Sequence, residues 1–469
     1  MKQLLLMAPL LLGACATPVR QPMMSTGAAN SPGSAATPPL VRCCSSPEEV
    51  AAAQAQFPPP PPPPPPRPVI VPDPPEPPPP PPAAGAERTI AKGNREFALA
   101  LYRQLAASRG NVFISPISLA GAFGPVAVGA RGKTRTEIGK VLGFPADDKV
   151  LNADLGSILH RLESDGDGHQ VSITNALWLG KGWSIEPDFV EIAKRSYDSE
   201  VETLNFGDQA AATARINDWV DRKTNSRIPK LFKPGDLDAG TSLVVTNAVH
   251  FVGQWREAFD PRQTRVQPFY LSDGTTRDVP MMSSEHMRSI YLGGGEVHPA
   301  ADSVELLELP YKGNRLSMVV ILPSARNGLP AVEAGLSPEK LDKWLERLDS
   351  AKLFGEEVQL PEMQFESSYE LVKPLKALGM RVPFTNAANF TGISTDRGNP
   401  LYIDTVVHKT FLKVDEKGTE AAAATGIAFR GERDHWSFRA DHPFLFLIRD
   451  KPTGAILFMG RFSEPPGPS

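Results

Sequence analysis

The alternation of apolar and polar positions after about residue 87 predicts a domain that mixes helices and strands. Apolar residues recur at helical spacing in EFALALYRQLAA and AATARINDWVDRKTNSRI, and Ser337-Pro338 begins a third helix, EKLDKWLERLD. Runs of β-branched and aromatic residues predict strands at VSITNALWL, SLVVTNAVHFV, VELLELPY, RLSMVVILP and TVVHKTFLKV. A turn at 451–454 joins HPFLFLIRD and AILFMGRF into a hairpin. Because no regular βαβ repeat connects these elements, the predicted fold class is α+β.

The first 86 residues have a different composition and predict no folded domain. They hold 26 of the 49 prolines, including unbroken runs at 58–66 and 77–82. Such runs lack backbone donors and favour polyproline II, so residues 58–82 would span about 80 Å when extended. The predicted organisation is a signal segment at 1–14, a disordered proline-rich linker at 15–86 and a globular domain at 87–464.

The N-terminus has the features of an export signal. Lys2 precedes the apolar run 4–12, which is too short to cross a bilayer as a helix. Leu12-Gly13-Ala14-Cys15 resembles the lipobox of bacterial lipoproteins, which implies cleavage before Cys15 and a lipid anchor on it. We therefore expect an exported bacterial protein held by Cys15 at the outer membrane or cell surface. The alternative is an ordinary secretory signal, which would leave the protein periplasmic or secreted.

Charge and motif content argue against a nucleic-acid partner and against an enzyme. The net charge is −4, and the cluster Arg131, Lys133, Arg135 and Lys140 is interpreted as a solvated helix face. No HExxH or GxSxG motif occurs, and no cysteine follows Cys43 and Cys44, whose role stays open. We expect no catalytic residue, no metal and no cofactor. His250, His408 and His442 lie in apolar stretches and are interpreted as satisfied core residues.

The segment TEAAAAT at 419–425 is unusual because it lies between predicted strands. Alanine favours helices, yet TVVHKTFLKV precedes this segment and HPFLFLIRD follows it. A flexible alanine-rich loop or a short helix is one interpretation. The other is implied only by the family resemblance given below: a strand that forms over a packed core, where small side chains fit.

Ordered motifs across the domain resemble the serpin family. They include NVFISPISLAGAF, GARGKTRTEIGKVLGF, ITNALWL, VVTNAVHFVGQWREAF, LELPYKGNRLSMVVILP, VVHKTFLKVDEKGTEAAAAT and FRADHPFLFLIRDKPTGAILFMGRF. The resemblance implies three β-sheets with eight or nine helices and an exposed reactive-centre loop. It also implies a monomer that inhibits serine, and sometimes cysteine, endopeptidases as a suicide substrate, through a covalent acyl complex.

The resemblance assigns the loop hinge and its working. The hinge residues are Glu416, Lys417, Gly418, Thr419, Glu420, Ala421, Ala422, Ala423, Ala424 and Thr425. After cleavage the family's loop enters the main sheet as an extra strand. With a side-chain period of two, Thr419, Ala421, Ala423 and Thr425 would face the core and Glu420 the solvent.

Family spacing from the hinge and from the HPF strand places the reactive bond at Glu432–Arg433. A loop longer by one residue would make Arg433 the residue before the cut. Arg430 or Phe429 are further alternatives, although they would shorten the inserted strand. Cleavage after Glu432 or after Arg433 stays open, as does the target protease.

Further positions match the family's sheet-opening elements. Ser115, Ser118, Asn247 and His408 correspond to the shutter, a hydrogen-bonded cluster beneath the central strands, and Trp255 to the breach, where the loop first enters. The competing class is a non-inhibitory serpin that acts as a binding or substrate-like module. The small residues of the hinge favour the inhibitory class.

Overall fold

The chain forms nine α-helices within the described residues. The structure is a computed structural model, and it describes residues 85–163, 168–292, 303–351, 354–396, 401–419 and 437–465. The helices are α1 (Gly85–Ala106), α2 (Pro116–Gly129), α3 (Gly132–Leu142), α4 (Asp148–Glu163), α5 (Pro187–Tyr197), α6 (Gln209–Lys223), α7 (Leu329–Gly335), α8 (Pro338–Ser350) and α9 (Val372–Ala377). Helix α1 begins two residues before Glu87, the predicted start of the domain.

The same residues contain fifteen strands. They are β1 (Val112–Ile114), β2 (His169–Gly180), β3 (Ser199–Leu204), β4 (Leu243–Gln254), β5 (Arg265–Tyr270), β6 (Thr276–Leu292), β7 (Val304–Pro310), β8 (Leu316–Pro323), β9 (Phe354–Pro361), β10 (Met363–Glu370), β11 (Ile403–Asp415), β12 (Gly418–Thr419), β13 (Ser437–Arg439), β14 (Phe444–Asp450) and β15 (Ala455–Phe462). The mixture of elements confirms the α+β class.

Six of these strands form sheet A, in the order β10-β11-β12-β4-β2-β3. Strand β10 is antiparallel to β11, and β2 is antiparallel to β4. Strands β4 and β11 are parallel neighbours, and so are β2 and β3. Sheet A is therefore a mixed sheet with a parallel pair near its middle.

The other strands form two sheets that share the long strand β6. Sheet B has the order β1-β15-β14-β8-β7 and ends on the last residues of β6. The earlier part of β6 pairs with β5 and β9 in sheet C, where β13 adds to β9 in parallel. Three sheets and nine helices in the described residues confirm the fold that the resemblance predicted.

Each face of sheet A packs against a helix. Helix α2 is buried along its whole length and contacts β4 of sheet A and β15 of sheet B. On β2, Leu177 belongs to the core on that side, whereas Ala176 and Trp178 pack with α6 on the other. This division follows from the two-residue period of a strand. The buried start of α2 thus lies directly beneath the central strands.

Helix α6 is shorter than its apolar pattern predicts. The pattern extends to Ile228, but the helix ends at Lys223. Asn225 and Ser226 have φ values of 48° and 59°, in the left-handed region that a right-handed helix cannot contain. The hydroxyl of Thr224 donates to Val220 O and accepts the N–H of Ile228, so the chain turns back at this point.

Among the described residues, no helix combines the length and apolar character needed to cross a membrane.

Candidate functional site

The parallel pair β4 and β11 forms a seam in sheet A that can accept another strand. Ile403 pairs with Leu243 at one end of the seam and Phe411 with His250 at the other. A chain that turns back after β11 runs antiparallel to β11, and therefore antiparallel to β4 as well. Such a strand can form ladder hydrogen bonds with both neighbours at once.

Strand β12 already occupies one end of this seam, just beyond the pair Phe411 and His250. Thr419 pairs with Val414 of β11 on one side and with Gly253 of β4 on the other. Gly418 likewise pairs with Asp415 and Gln254. The first two hinge residues after Lys417 thus belong to sheet A in the uncut chain.

Trp255 holds the turn that leads into β12. Its indole Nε1 donates to Asp415 O and its backbone N–H to Lys417 O, each at 3.0 Å. The backbone N–H of Phe259 donates to Glu416 O at 2.8 Å. Trp255 is itself fixed by stacking on Tyr311, with ring centroids 4.6 Å apart. The residue that the resemblance assigned to the breach therefore binds the hinge turn directly.

Gly418 lies where a side chain would not fit. Its φ is +143°, a conformation that residues with a Cβ rarely adopt, and an added Cβ would lie 2.0 Å from Gly253 O. The close approach follows from placing β12 between two strands. Glycine is thus needed at this position both for its conformation and for its lack of a side chain.

Thr419 is fully buried and points toward Tyr311. Its exposed fraction is 0%, and its Oγ1 lies 3.0 Å from the Tyr311 hydroxyl. Burial raises the pKa of Tyr311 well above its usual range, so this phenol stays protonated. Two neutral hydroxyls therefore satisfy each other beneath the hinge, with no charge in the contact.

Two carboxyl groups meet beside the hinge turn. Glu416 accepts a hydrogen bond of 2.6 Å from the Thr264 hydroxyl. Burial first, and then the charges of Glu416 and Asp415, raise the pKa of Glu362 above its usual range, and Lys413 opposes this shift. A proton on Glu362 thus relieves repulsion with Glu416.

Among the described residues, no group of three or more His, Cys, Asp and Glu is placed to hold a metal ion.

The four residues assigned to the shutter form one buried cluster across the seam. His408 Nδ1 lies 2.5 Å from Asn247 Oδ1, which also accepts from the Ser118 hydroxyl at 2.8 Å. The backbone N–H of Ser115 donates to His408 Nε2 at 3.0 Å. The Ser115 hydroxyl donates to Leu457 O of β15, which links the cluster to sheet B.

The cluster requires a neutral His408 with its proton on Nδ1. The N–H of Ser115 needs an acceptor at Nε2, and Asn247 Oδ1 needs a donor at Nδ1. Complete burial lowers the pKa of His408 to about 3, which agrees with this neutral form. His442 is also satisfied at both nitrogens. His250 departs from the prediction, because its Nδ1 has no hydrogen-bond partner in the described part of the chain.

Sequence reasoning missed Asn175 and Tyr311. Asn247 Nδ2 donates to Asn175 Oδ1 at 2.6 Å, and the two asparagines are direct cross-strand neighbours. Thr-Asn-Ala occurs at 174–176 and 246–248, but also at 385–387, so this repeat alone does not single out Asn175. Tyr311 is the last residue of the predicted strand VELLELPY, and no comparable repeat marks it.

Several predicted site residues lie outside the described residues. These are the later hinge residues Glu420, Ala421, Ala422, Ala423, Ala424 and Thr425, the reactive bond Glu432 and Arg433, the alternatives Arg430 and Phe429, and Cys15. The described chain stops at Thr419 and resumes at Ser437 in β13.

Comparisons with known proteins agree with this geometry. The family model Serpin (serine protease inhibitor) matches residues 92–465. The leukocyte elastase inhibitor of Sus scrofa is 37% identical over 386 residues, which is 80% of this chain and 99% of the pig protein. An uncharacterized serpin-like protein of Methanosarcina acetivorans is 36% identical over 81% of this chain and 87% of its own length.

A solved structure gives the same result. Uncleaved ovalbumin superposes with a TM-score of 0.72 at 30% identity, over 80% of this chain and all of the ovalbumin chain. The chain belongs to the serpin family, which includes inhibitors such as leukocyte elastase inhibitor.

Proposed function

We propose that this protein inhibits endopeptidases by inserting its cleaved loop into the seam between β4 and β11. The observation that carries the proposal is β12. Gly418 and Thr419 already pair with both strands, so the hinge has the direction and the neighbours that a longer inserted strand needs. The small residues that follow, Ala421 to Ala424, suit the same slot.

The energy of insertion is large enough to drive such a mechanism. About 14 inserted residues would form about 14 backbone hydrogen bonds, each contributing about 0.5–1.5 kcal/mol. This gain is comparable with the roughly 5–15 kcal/mol stability of a typical domain. The uncut fold is then kinetically trapped. Cleavage would release that energy while the protease is still acylated, and moving the enzyme distorts its active site before deacylation.

We place the reactive bond at Glu432–Arg433, with Arg433–Asp434 as the alternative. A carboxylate before the cut requires a basic specificity pocket, whereas the pocket of trypsin-like enzymes carries an acid. Glu432→Ala should abolish inhibition of a glutamate-specific protease, and Arg433→Ala should abolish inhibition of a trypsin-like one. A cut mapped within the covalent complex after Arg430 or Phe429 would contradict both placements.

The proposal is tested with a panel of serine and cysteine endopeptidases. We expect at least one to form a complex that survives denaturing gel electrophoresis, and mass spectrometry identifies the cut bond. Protein nicked in the loop should also melt far above intact protein, because the inserted strand adds ladder hydrogen bonds. Cleavage without a complex, together with equal melting temperatures, would instead support a binding or substrate-like module.

We further propose that a lipid on Cys15 and the proline-rich linker hold the inhibitory domain away from a bacterial membrane surface. Acyl chains supply the anchoring energy. Cys15→Ser should therefore move the protein from the membrane fraction to the soluble fraction, and Cys43→Ser is the matched control. A wild-type protein that is already soluble would show that the segment is an ordinary secretory signal.

A further inference from the structure

Two adjoining cavities lie between α6 and the outer strands of sheet A. The larger has a volume of about 280 Å³ and is lined by Glu200, Arg215, Trp219, Arg222 and Lys223. The smaller, of about 140 Å³, shares Glu200, Trp219 and Lys223 and adds Glu163, Asp198 and residues 172–175 of β2. Because they share three residues, the two cavities form one cleft.

The cleft has regular walls. Arg215, Trp219, Arg222 and Lys223 are spaced by four, seven and eight residues along α6, so they share one helix face. On the opposite wall, Glu200 and Glu202 are two residues apart on β3 and point to the same side. The guanidinium of Arg215 donates to Glu202 through Nε and Nη2, which joins the two walls at one end.

Two residues that line this cleft each carry a buried N–H donor with no acceptor among the described residues. Trp219 is 3% exposed, yet its Nε1 has no hydrogen-bond partner among the described residues, and the same holds for Arg215 Nη1. The neighbouring Trp178 packs edge-on at 5.2 Å and does have a partner, because its Nε1 donates to Thr246 Oγ1 at 3.0 Å. Buried donors are rarely left unpaired, so these two indicate a missing acceptor group.

The smaller cavity is lined by more acidic than basic side chains. Glu163, Asp198 and Glu200 contribute three carboxyl groups to its lining, and Lys223, which also lines the larger cavity, is the one basic residue among its lining residues. The backbone N–H of Ile173 donates to Glu163 at 3.1 Å. Burial raises the pKa of this carboxyl to about 7, so Glu163 is only partly charged near neutral pH, and a cation bound beside it would favour its charged form. One end of the cleft therefore favours an anion and the other a cation.

We propose that this cleft binds a small zwitterion of amino-acid or dipeptide size. Its carboxylate accepts from Trp219 Nε1 and lies against Arg222 and Lys223. Its ammonium group lies among Glu163, Asp198 and Glu200. Charge-assisted hydrogen bonds of this kind are among the strong ones, and the cleft has the size for a ligand of this class.

The position of the cleft connects it with sheet A. Ile216 and Trp219 of α6 pack in one cluster with Val244 and Ala248 of β4 and Val407 of β11, which flank the seam. A ligand that joins α6 to β3 holds the helix over these strands. Occupancy should therefore slow loop insertion. This effect, unlike binding itself, rests on the proposed inhibitory function.

Binding is tested by NMR on the full chain labelled with ¹⁵N at its tryptophan indoles. Glycylglycine is titrated, with acetate and methylammonium as half-ligands at equal ionic strength. The Trp219 resonance, identified by its loss in Trp219→Phe, should shift and saturate, while that of Trp344 in α8 stays constant. Each half-ligand should bind at least about tenfold more weakly. No saturable shift, or an equal affinity for acetate, would overturn the proposal.

Charge variants locate the site. Arg222→Ala and Lys223→Ala should each weaken glycylglycine binding about fivefold. Lys233→Ala is the matched control, because Lys233 is exposed and does not line either cavity. An equal loss in the control would mean that net charge, rather than the cleft, sets the affinity. If binding leaves the rate of protease complex formation unchanged, the cleft does not affect the opening of sheet A.

Discussion

The two ends of the seam between β4 and β11 are held in different ways. At the shutter the strands pair directly, and His408, Asn247 and Ser118 join them to α2 through buried hydrogen bonds. At the breach the strands are separated by Gly418 and Thr419, and aromatic side chains fix the turn. A strand that enters from the breach must break the shutter pairing. If the loop inserts as proposed, this difference indicates that the barrier to insertion lies at the shutter and not at the hinge.

The largest expected effect comes from placing a charge at the end of the seam that β12 occupies. Thr419→Arg would bury an unpaired cation against Tyr311, which is strongly unfavourable, so β12 should leave the sheet. Insertion then fails, and the protein should be cleaved rapidly without a stable complex. The measurement is the ratio of complex to cleaved product on denaturing gels. Thr419→Ser keeps the small hydroxyl and is the control, and an unchanged complex yield in the arginine variant would refute the role of β12.

The shutter is tested by removing its shared acceptor. Asn247→Leu removes the acceptor of the His408 Nδ1–H, one of the two acceptors of the Ser118 hydroxyl, and the donor to Asn175 Oδ1. We expect a loss of about 3 kcal/mol in the stability of the uncut protein. Thermal melting checks this, with the exposed Asn205→Leu as control. If the seam barrier is located at the shutter, the variant should also convert faster to an inserted form without cleavage.

A smaller effect is expected at the breach. Trp255→Phe keeps the stacking on Tyr311 but removes the hydrogen bond from Nε1 to Asp415 O. We expect the hinge turn to lose about 1 kcal/mol of local stability, with no loss elsewhere in the fold. Hydrogen exchange should be faster at the amides of Lys417 and Thr419 and unchanged at Asn247. Faster exchange at both ends of the seam would mean that the two regions open as one unit.

The smallest effect is a pH dependence at the hinge turn. The raised pKa of Glu362 in the folded protein means that protonation stabilises the fold, so this contribution is present at low pH and is lost as the pH rises through the raised pKa. The charged groups that face it are Glu416, Asp415 and Lys413. Glu362→Gln should therefore gain melting temperature over wild type at pH 8 but not at pH 4. Gln at the exposed Glu346 of α8 (Glu346→Gln) is the control, and identical pH profiles of the Glu362 variant and wild type would exclude a contribution of Glu362 to stability.

The sequence predicted the fold well, because its strands and helices have the periods that burial requires. The runs that became β2, β4, β8 and β11 were each rich in β-branched residues, and Ser337 does cap α8 by accepting the N–H of Lys340. The end of α6 was not predictable from that pattern, since two residues in the left-handed conformation end the helix while the apolar spacing continues to Ile228.

Less of the candidate site could be predicted. The resemblance selected Ser115, Ser118, Asn247, His408 and Trp255, which the structure brings to the two ends of one seam. It did not predict that Gly418 and Thr419 already lie in the sheet. That placement depends on β4 and β11 separating after His250 and Phe411. This is a tertiary feature that no local sequence pattern predicts. The meeting of Glu362 with Glu416 was likewise invisible, because 54 residues separate them in the chain.

In the proposed mechanism, the two paired residues of β12 also affect the kinetics of loop insertion. Starting an ordered segment is slow, because several residues must be fixed before any bond rewards them, whereas extending it fixes one residue for each bond gained. With Gly418 and Thr419 bonded on both sides before any cut, nucleation is complete in the resting protein. After cleavage, the proposed strand would grow from these two residues, and its growth would still have to open the direct pairing of β4 and β11 at the shutter. The competition with deacylation would then depend on how fast the shutter opens, and not on forming a first pair.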